Sequence, residues 1–369
     1  MKMIRRASID DKEGFKKLWD LSFTDSQNFR DWFFANRFVP DYSICIEEDG
    51  GIVSEAQSIP CHIKIRGAVL NCSIMVGACT HPDYKKRGYM KEIYTGYMNM
   101  VRDMGIVLCA HSPAVLRTYF NVGHFPVSDT AFVEIERAEA ANRPEFDEFD
   151  LKGSVSPLLP CYAKAAEKYS GIISRSYMDF RLKADDYLSD GGKCISICEN
   201  GAVAGYAVYY DTPDMLYGEE IMALTPETEQ RLVDSLIYLG TGKSVKIKLP
   251  PDTKSFSSLG KVTVGPRNVL GLANAEKLLK AVGMGLPYAV EIKDEIVAGN
   301  NGIFNLKGER TDRKPAVSMS AGNLTQWITG YRSIKELEEE GKARVYIREE
   351  AQALDVLLPK QVCHIVDEY

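Results

Sequence analysis

At 369 residues, 45% hydrophobic and 26% charged, the chain has the makeup of an ordinary globular protein of two or three domains, not a disordered or fibrous one. Its net charge of −6, from 45 Lys+Arg against 51 Asp+Glu, argues against a nucleic-acid partner, whose phosphates need basic surface. Nine cysteines occur with no CxxC, the N-terminus carries Lys2, Arg5, Arg6, Asp10 and Asp11 where a secretory segment would be apolar, and no apolar run is long enough to cross a membrane; a reducing, cytoplasmic setting without membrane insertion is expected.

In chain order, residues 1–140 read as one α/β unit. Helices are expected near 10–20 and 25–37, and a strand over 42–47. Glu48-Asp49-Gly50-Gly51 is a hairpin turn, and strands follow near 52–65 and 69–80, divided by Arg66-Gly67. Met90, Ile93, Tyr94, Tyr97, Met98 and Val101 fall at i, i+3, i+4 spacing, the stripe of an amphipathic helix that Gly105 ends. A short buried strand (106–110) and a short helix (115–119) closed by Gly123 complete the unit. A charged connection bearing Pro144, Pro157 and Pro160 marks a boundary.

A second unit is expected over 155–268: strands near 194–198, 203–210 and 215–224, a helix over 226–239 and a strand over 245–249. The order strand, strand, strand, helix, strand repeats that of the first unit. Residues 269–369 form a third, smaller unit. It has a helix over 275–282, strands near 287–293, 302–307 and 315–319, and a capping box at Ser333-Ile334-Lys335-Glu336. Its last residues, Ile365-Val366-Asp367-Glu368-Tyr369, are too apolar and aromatic for a frayed tail and are expected to dock.

The segment richest in chemistry is Thr80-His81-Pro82-Asp83-Tyr84-Lys85-Lys86-Arg87-Gly88-Tyr89-Met90. A strand enters it and a long helix leaves it. Helix starts present unpaired N–H groups and the positive dipole end. Gly88 lets a ligand approach the backbone, and three cations stand beside it. The turn suits a diphosphate. It is neither a GxxxxGK[ST] loop nor a GxGxxG fingerprint. The second unit's helix starts Thr225-Pro226-Glu227-Thr228-Glu229-Gln230, with carboxylates in place of cations, so no such ligand is expected there. No His/Cys cluster has metal-ligand spacing, and no metal is expected.

The arrangement of Lys85, Gly88 and the preceding Thr80–Tyr84 resembles the turn Arg/Gln-x-x-Gly-x-Gly/Ala of the GNAT acetyltransferase superfamily, with Met90 where that family has a small residue. Two GNAT-like units followed by a small α/β unit resemble the Eis (enhanced intracellular survival) type, whose third domain looks like a sterol carrier protein. The resemblance implies an α/β (α+β) fold of two tandem GNAT-like domains and a sterol carrier protein-like domain, an N-acetyltransferase, and acetyl-CoA as donor. It implies donor contacts at Ala78, Cys79, Thr80, Lys85, Lys86, Arg87, Gly88, Tyr89 and Met90. Tyr119, four residues before Gly123, takes the role of acid, and the C-terminal carboxylate, at Tyr369, that of base. Asp25, Trp32 and Glu368 fall where the family lines its acceptor pocket. A primary amine on an aminoglycoside, a polyamine or a lysine-like group, direct transfer in a ternary complex, and self-assembly are further implications. An aminoacyl transferase built on paired GNAT units, or a non-enzymatic CoA- or lipid-binding protein, is the alternative.

Overall fold

The structure is a computed structural model that describes residues 2–113, 115–139, 143–253, 260–283 and 285–368. The chain begins β1 (Met3–Arg6), α1 (Lys12–Asp20), α2 (Gln27–Asn36), β2 (Ser43–Glu48), β3 (Gly51–Ile65), β4 (Ala68–Thr80), α3 (Tyr89–Asp103), β5 (Leu108–His111) and α4 (Arg117–Phe120). It continues through β6 (Asp129–Ile135), β7 (Asp147–Phe149), α5 (Leu158–Ala165), β8 (Ile172–Ser174), α6 (Tyr177–Ser189), β9 (Lys193–Glu199), β10 (Ala202–Asp211), β11 (Met215–Ala223), α7 (Pro226–Leu239), β12 (Ser244–Leu249) and β13 (Lys261–Pro266). The last part holds β14 (Val269–Leu272), α8 (Ala275–Val282), β15 (Ala289–Lys293), β16 (Gly302–Asn305), β17 (Val317–Ser320), α9 (Ala321–Ile328), α10 (Ile334–Glu339), β18 (Ala343–Val345) and α11 (Arg348–Leu357).

The expected elements form for local reasons. Asp49-Gly50, Arg66-Gly67 and Asn200-Gly201 each place two successive residues at positive φ, the geometry that closes a two-residue hairpin without splaying its strands. In α3, Ile93, Tyr94, Tyr97, Met98 and Val101 are buried on one stripe. Ser333 and Glu336 cap α10 reciprocally.

Three sheets result, ordered β1-β2-β3-β4-β5-β14 with β8 on β3, β13-β6-β12-β11-β10-β9-β7, and β16-β15-β17-β18. Within the first two sheets the same motif recurs. β2–β3 and β3–β4 pair antiparallel and β4–β5 parallel; β9–β10 and β10–β11 pair antiparallel and β11–β12 parallel. A helix, α3 or α7, makes each parallel crossover. The sheets also trade strands. β6, ahead of residue 140, joins the second sheet, whereas β8 and β14 add to the first. Unpaired strand edges take a partner from whichever segment packs beside them.

One core cluster runs from Phe15, Trp19 and Phe33 of the first unit to Val290, Trp327 and Leu354 of the third. The β3–β4 turn reinforces that union, with Arg66 Nε donating to Ile328 O at 2.6 Å and Arg66 Nη2 to Pro359 O at 2.8 Å. The C-terminal segment then crosses to the second unit: Ser170 N donates to Val362 O at 2.9 Å and His364 N to Ser170 O at 2.8 Å.

Candidate active site: a cradle, a slot and an acidic chamber

Where β4 leads into α3, Lys86 (φ +64°) and Gly88 (φ +88°) are both left-handed, which turns successive amides toward one concave side. Gly88 is the N-cap of α3 and no side chain caps that helix start. A β-carbon at Gly88 would meet nothing nearer than Glu92 Oε1 at 4.0 Å, so the ground before the helix is open. A cavity of about 510 Å³ lies there, lined by Ala78, Cys79, Thr80, Lys85, Lys86, Gly88, Tyr89 and Met90 among others. Eight of the nine donor-contact residues expected from sequence therefore share one cavity. Arg87 does not join them. Its Nη2 donates to Asp83 O at 3.0 Å and its guanidinium sits 4.8 Å from the centre of the Tyr84 ring. The half-buried Met90 lines the cavity rather than blocking it.

The slot beyond follows from strand geometry. β4 and β5 pair only from Cys72↔Leu108 to Ile74↔Ala110. β4 then bulges: Glu55 pairs with Cys79 and Gln57 with Val76, so Gly77 and Ala78 stand opposite the single residue Ala56. The bulge bends β4 away from β5. A cavity of about 270 Å³ opens between them, lined by Met75, Gly77, Ala78, His111, Ser112 and Tyr119 among others. Tyr119, on α4, is packed by His111 (ring centres 4.2 Å apart) and Tyr94 (5.6 Å). Burial raises its pKa, so the hydroxyl keeps its proton at neutral pH. A protonated phenol facing a slot is placed to donate.

The third cavity, about 390 Å³, lies between the first two units. It shares Phe23, Gly77 and Ser112 with the slot, and the slot shares Ala78, Met90 and Thr118 with the cradle. Its charged lining consists of Asp25, Asp186, Asp190, Glu219 and Glu368 against Lys183 and Arg267, so carboxylates outnumber cations. Asp25 accepts from Trp19 Nε1 at 2.9 Å; Ser26, not Asp25, caps α2. Burial, together with Asp190 and against the Trp19 bond, raises the Asp25 pKa. Trp32 lies off the cavity lining, stacked on Phe29 at 6.4 Å. Tyr369 lies outside the described residues.

Glu368 reaches the chamber already paired. Arg267 Nη2 stands 2.9 Å and Lys248 Nζ 3.2 Å from its carboxylate, and Asn268 Nδ2 donates at 3.2 Å. Burial alone would raise its pKa, but Lys248 and Arg267 outweigh that and hold it at about 2. Such a carboxylate is a poor base and a partly neutralised anchor for an amine. His124 is no readier: buried and bonded to the Tyr94 hydroxyl, it is pushed down to about 3 by burial.

The chamber residues Asp186 and Asp190 were not legible in the sequence. They lie on and just after α6, whose buried positions include Lys183 and Asp186 and so carry no clean apolar stripe. Its capping box, Ser176 with Asp179, was the available signal. Glu219 and Glu220 had a different one, two carboxylates inside a strand with no other charged residue.

Comparisons with known proteins agree with this geometry. Residues 3–126 match the family model described as "Acetyltransferase (GNAT) domain" and residues 275–365 that of "Sterol carrier protein domain". No curated protein matches the sequence. Among solved structures, an Enterococcus faecalis protein described as a probable N-acyltransferase aligns with TM-score 0.81 at 16% identity, over 100% of both chains. Eis1 from Mycobacterium abscessus aligns with TM-score 0.77 at 16% identity, also over 100% of both. A GCN5-related N-acetyltransferase from Anabaena variabilis gives 0.81 at 15%, with the same coverage. Residues 3–126 therefore form a GNAT acetyltransferase domain and residues 275–365 a sterol carrier protein domain, in a chain folded like Eis1 from Mycobacterium abscessus.

Proposed function

We propose that the protein moves an acetyl group from acetyl-CoA to a primary amine, with both bound at once. The observation that carries this reading is the run of three cavities joined by shared residues, from the uncapped start of α3, past Tyr119, to the acidic chamber. The cradle fits a diphosphate by its open backbone and by Lys85 and Lys86. With β4–β5 pairing ending at Ile74, the edge of β4 at 78–80 that faces away from β3 is open to an extended amide-bearing arm. The donor supplies an activated acyl group; the protein's residues supply position and protons.

A cationic amine is drawn to the chamber by its excess of carboxylates and must shed one proton before it can attack, the next leaving as the amide forms. As the new C–N bond forms and the C–S bond breaks, the Tyr119 hydroxyl passes its proton to the departing sulfur. We assign the base to the Tyr369 carboxylate, which the resemblance implies and which the position of Glu368 at the chamber wall supports. Burial would raise so weak a base toward a useful pKa. Appending one residue after Tyr369 moves that charge by about 3.5 Å and is expected to abolish most turnover with acetyl-CoA binding retained; normal turnover would refute the assignment.

The acceptor panel spans aminoglycosides, polyamines and lysine-like amines. The test is free-thiol release from acetyl-CoA across that panel, with acetylated product identified by mass. Thiol release that no amine accelerates would sink the reading.

A further inference from the structure

The second unit has its own splayed strand pair. β11 and β12 pair from Met215↔Ser244 to Gly218↔Ile247. Then β11 bulges, with Val208 opposite Glu220 and Tyr209 opposite Gly218, leaving Glu219 extra. Where the first unit has an open slot, this one is met by the chain's own C-terminal segment. Val366 belongs to the core cluster of Tyr206, Val208 and Met222. Asp367 and Glu368 face two buried cations, one on each side of the divergence.

The donor geometry explains why these tail carboxylates are needed. Arg175, on the loop before α6, presents Nη1 and Nη2 to Glu220 at 2.8 and 2.7 Å. That uses one edge of the fork. The other edge, Nε and Nη2, meets Asp367 at 3.2 and 3.0 Å. Both side chains of the Arg175–Glu220 pair are 1% exposed, so without Asp367 that second edge would be buried unsatisfied. Tyr187 and Tyr206 complete the shell by donating to Glu220 at 2.7 and 2.6 Å. Lys248 divides its ammonium between Glu219 at 3.0 Å and Glu368 at 3.2 Å. Lys183 Nζ donates to Glu368 O at 3.3 Å, fixing the last peptide carbonyl before Tyr369.

We propose that the splayed strands of the second unit are a dock for residues 366–368, with Arg175 and Lys248 as positioning residues that hold Glu368 at the wall of the acceptor chamber. The proposal rests on the reading of that chamber as the amine site. It gives the unit without a diphosphate cradle a task in the reaction: it holds the segment that the third unit delivers.

The test uses the full chain with Asp367→Asn, Lys248→Met and the charge-preserving Lys248→Arg. Three quantities are measured: release of C-terminal residues by carboxypeptidase under native conditions, acetyl-CoA affinity by calorimetry, and kcat and KM for the best amine. Leu337→Ala, in the core of the third unit, supplies a loss of stability away from the dock. Asp367→Asn and Lys248→Met are expected to speed carboxypeptidase release roughly thirtyfold or more, the usual consequence of breaking a buried charged contact. They should lower kcat by a comparable factor and leave acetyl-CoA affinity within about twofold. Lys248→Arg should restore protection, and Leu337→Ala should lower the melting temperature without exposing the tail. Wild-type protection in Asp367→Asn and Lys248→Met would overturn the dock, as would unchanged kcat in variants whose tail is released. If the wild type acetylates no amine, the chamber reading fails, and the dock then stands or falls on carboxypeptidase release alone.

Discussion

The two GNAT-like units share a topology and differ in what occupies the same places. At the helix after the third strand of the motif, the first unit has Gly88 with no side-chain cap, while in the second the Thr225 side chain accepts from Thr228 N. One helix start has no side-chain cap; the other is already satisfied by its own chain, with Glu227 and Glu229 in its first turn. At the bulge, Gly77 and Ala78 leave space in the first unit, and Glu219 fills it with charge in the second. A cradle can thus be retired by three local changes without disturbing a strand: a hydroxyl cap, carboxylates for cations, and an ion pair across the splay. On the proposed reading, the fold provides the slot, while a few residues at its mouth decide whether it is left open or filled by the chain itself.

The sharpest test of the open unit is Tyr119→Phe. We expect turnover to fall by about 10²–10⁴-fold, the usual worth of a general acid, with acetyl-CoA affinity nearly unchanged. Full activity in the folded variant would remove Tyr119 from the chemistry.

The sharpest test of the closed unit is Arg175→Met, which strips both Glu220 and Asp367 of their partner. Breaking a buried ion pair on one side costs about 3–5 kcal/mol, read as a lower urea midpoint. Glu220 amplifies this. Burial would raise its pKa, but Arg175 and the two tyrosines hold it at about 2, so a carboxylate kept charged at neutral pH would lose its cation. An unchanged midpoint would show the network to be energetically idle.

Next comes the contrast in ligand binding. Calorimetry should count one acetyl-CoA per chain. Lys85→Glu with Lys86→Glu should weaken it by roughly a hundredfold, as two charge-assisted contacts are lost. Arg87→Ala, whose side chain is turned onto Tyr84, should matter much less. A stoichiometry of two would erase the distinction between the units.

The last test concerns pH. His124 and His364 are held neutral by burial, at about 3 and about 4, and His111 is lowered too, chiefly by burial. An unfolded histidine titrates near 6.5. Their stabilising contribution is therefore complete above that pH and is lost as pH falls, by about 1.4 kcal/mol per unit for each histidine. Buried Glu55, raised by desolvation, works the other way over the same range, since its unfolded form ionises first as pH rises. Asp25 and Glu229, also raised by burial, act with Glu55, but the three fully buried histidines dominate, so the melting temperature should fall between pH 6.5 and 4.5. His364→Gln should flatten that slope; an identical slope would place the titration elsewhere.

The sequence by itself determined what contiguous residues decide. Hairpins at Asp49-Gly50, Arg66-Gly67 and Asn200-Gly201 were legible because two-residue turns need positive φ there. Helix α3 was legible from its apolar stripe, helices α7 and α8 formed over the ranges expected, and the cradle was legible from the adjacency of Lys85, Lys86 and Gly88 to a strand and a helix. The repeated order of strands and helix disclosed the paired units. Tertiary structure alone decided the rest. Which sheet β6, β8 and β14 would join depended on which edges stood open. Arg87 turned from the cradle because Asp83 O and the Tyr84 ring offered it partners across the turn. The acidic chamber draws on Asp25, Ser112, Asp186 and Glu368, and the pairing of Arg175 with Asp367 joins residues 192 positions apart. A buried charge is tolerable only where its partner arrives, and the sequence shows the charge without showing the partner. Only the folded chain brings the C-terminal segment of the third unit, past the bulged strand of the second, to the acidic chamber beside the first.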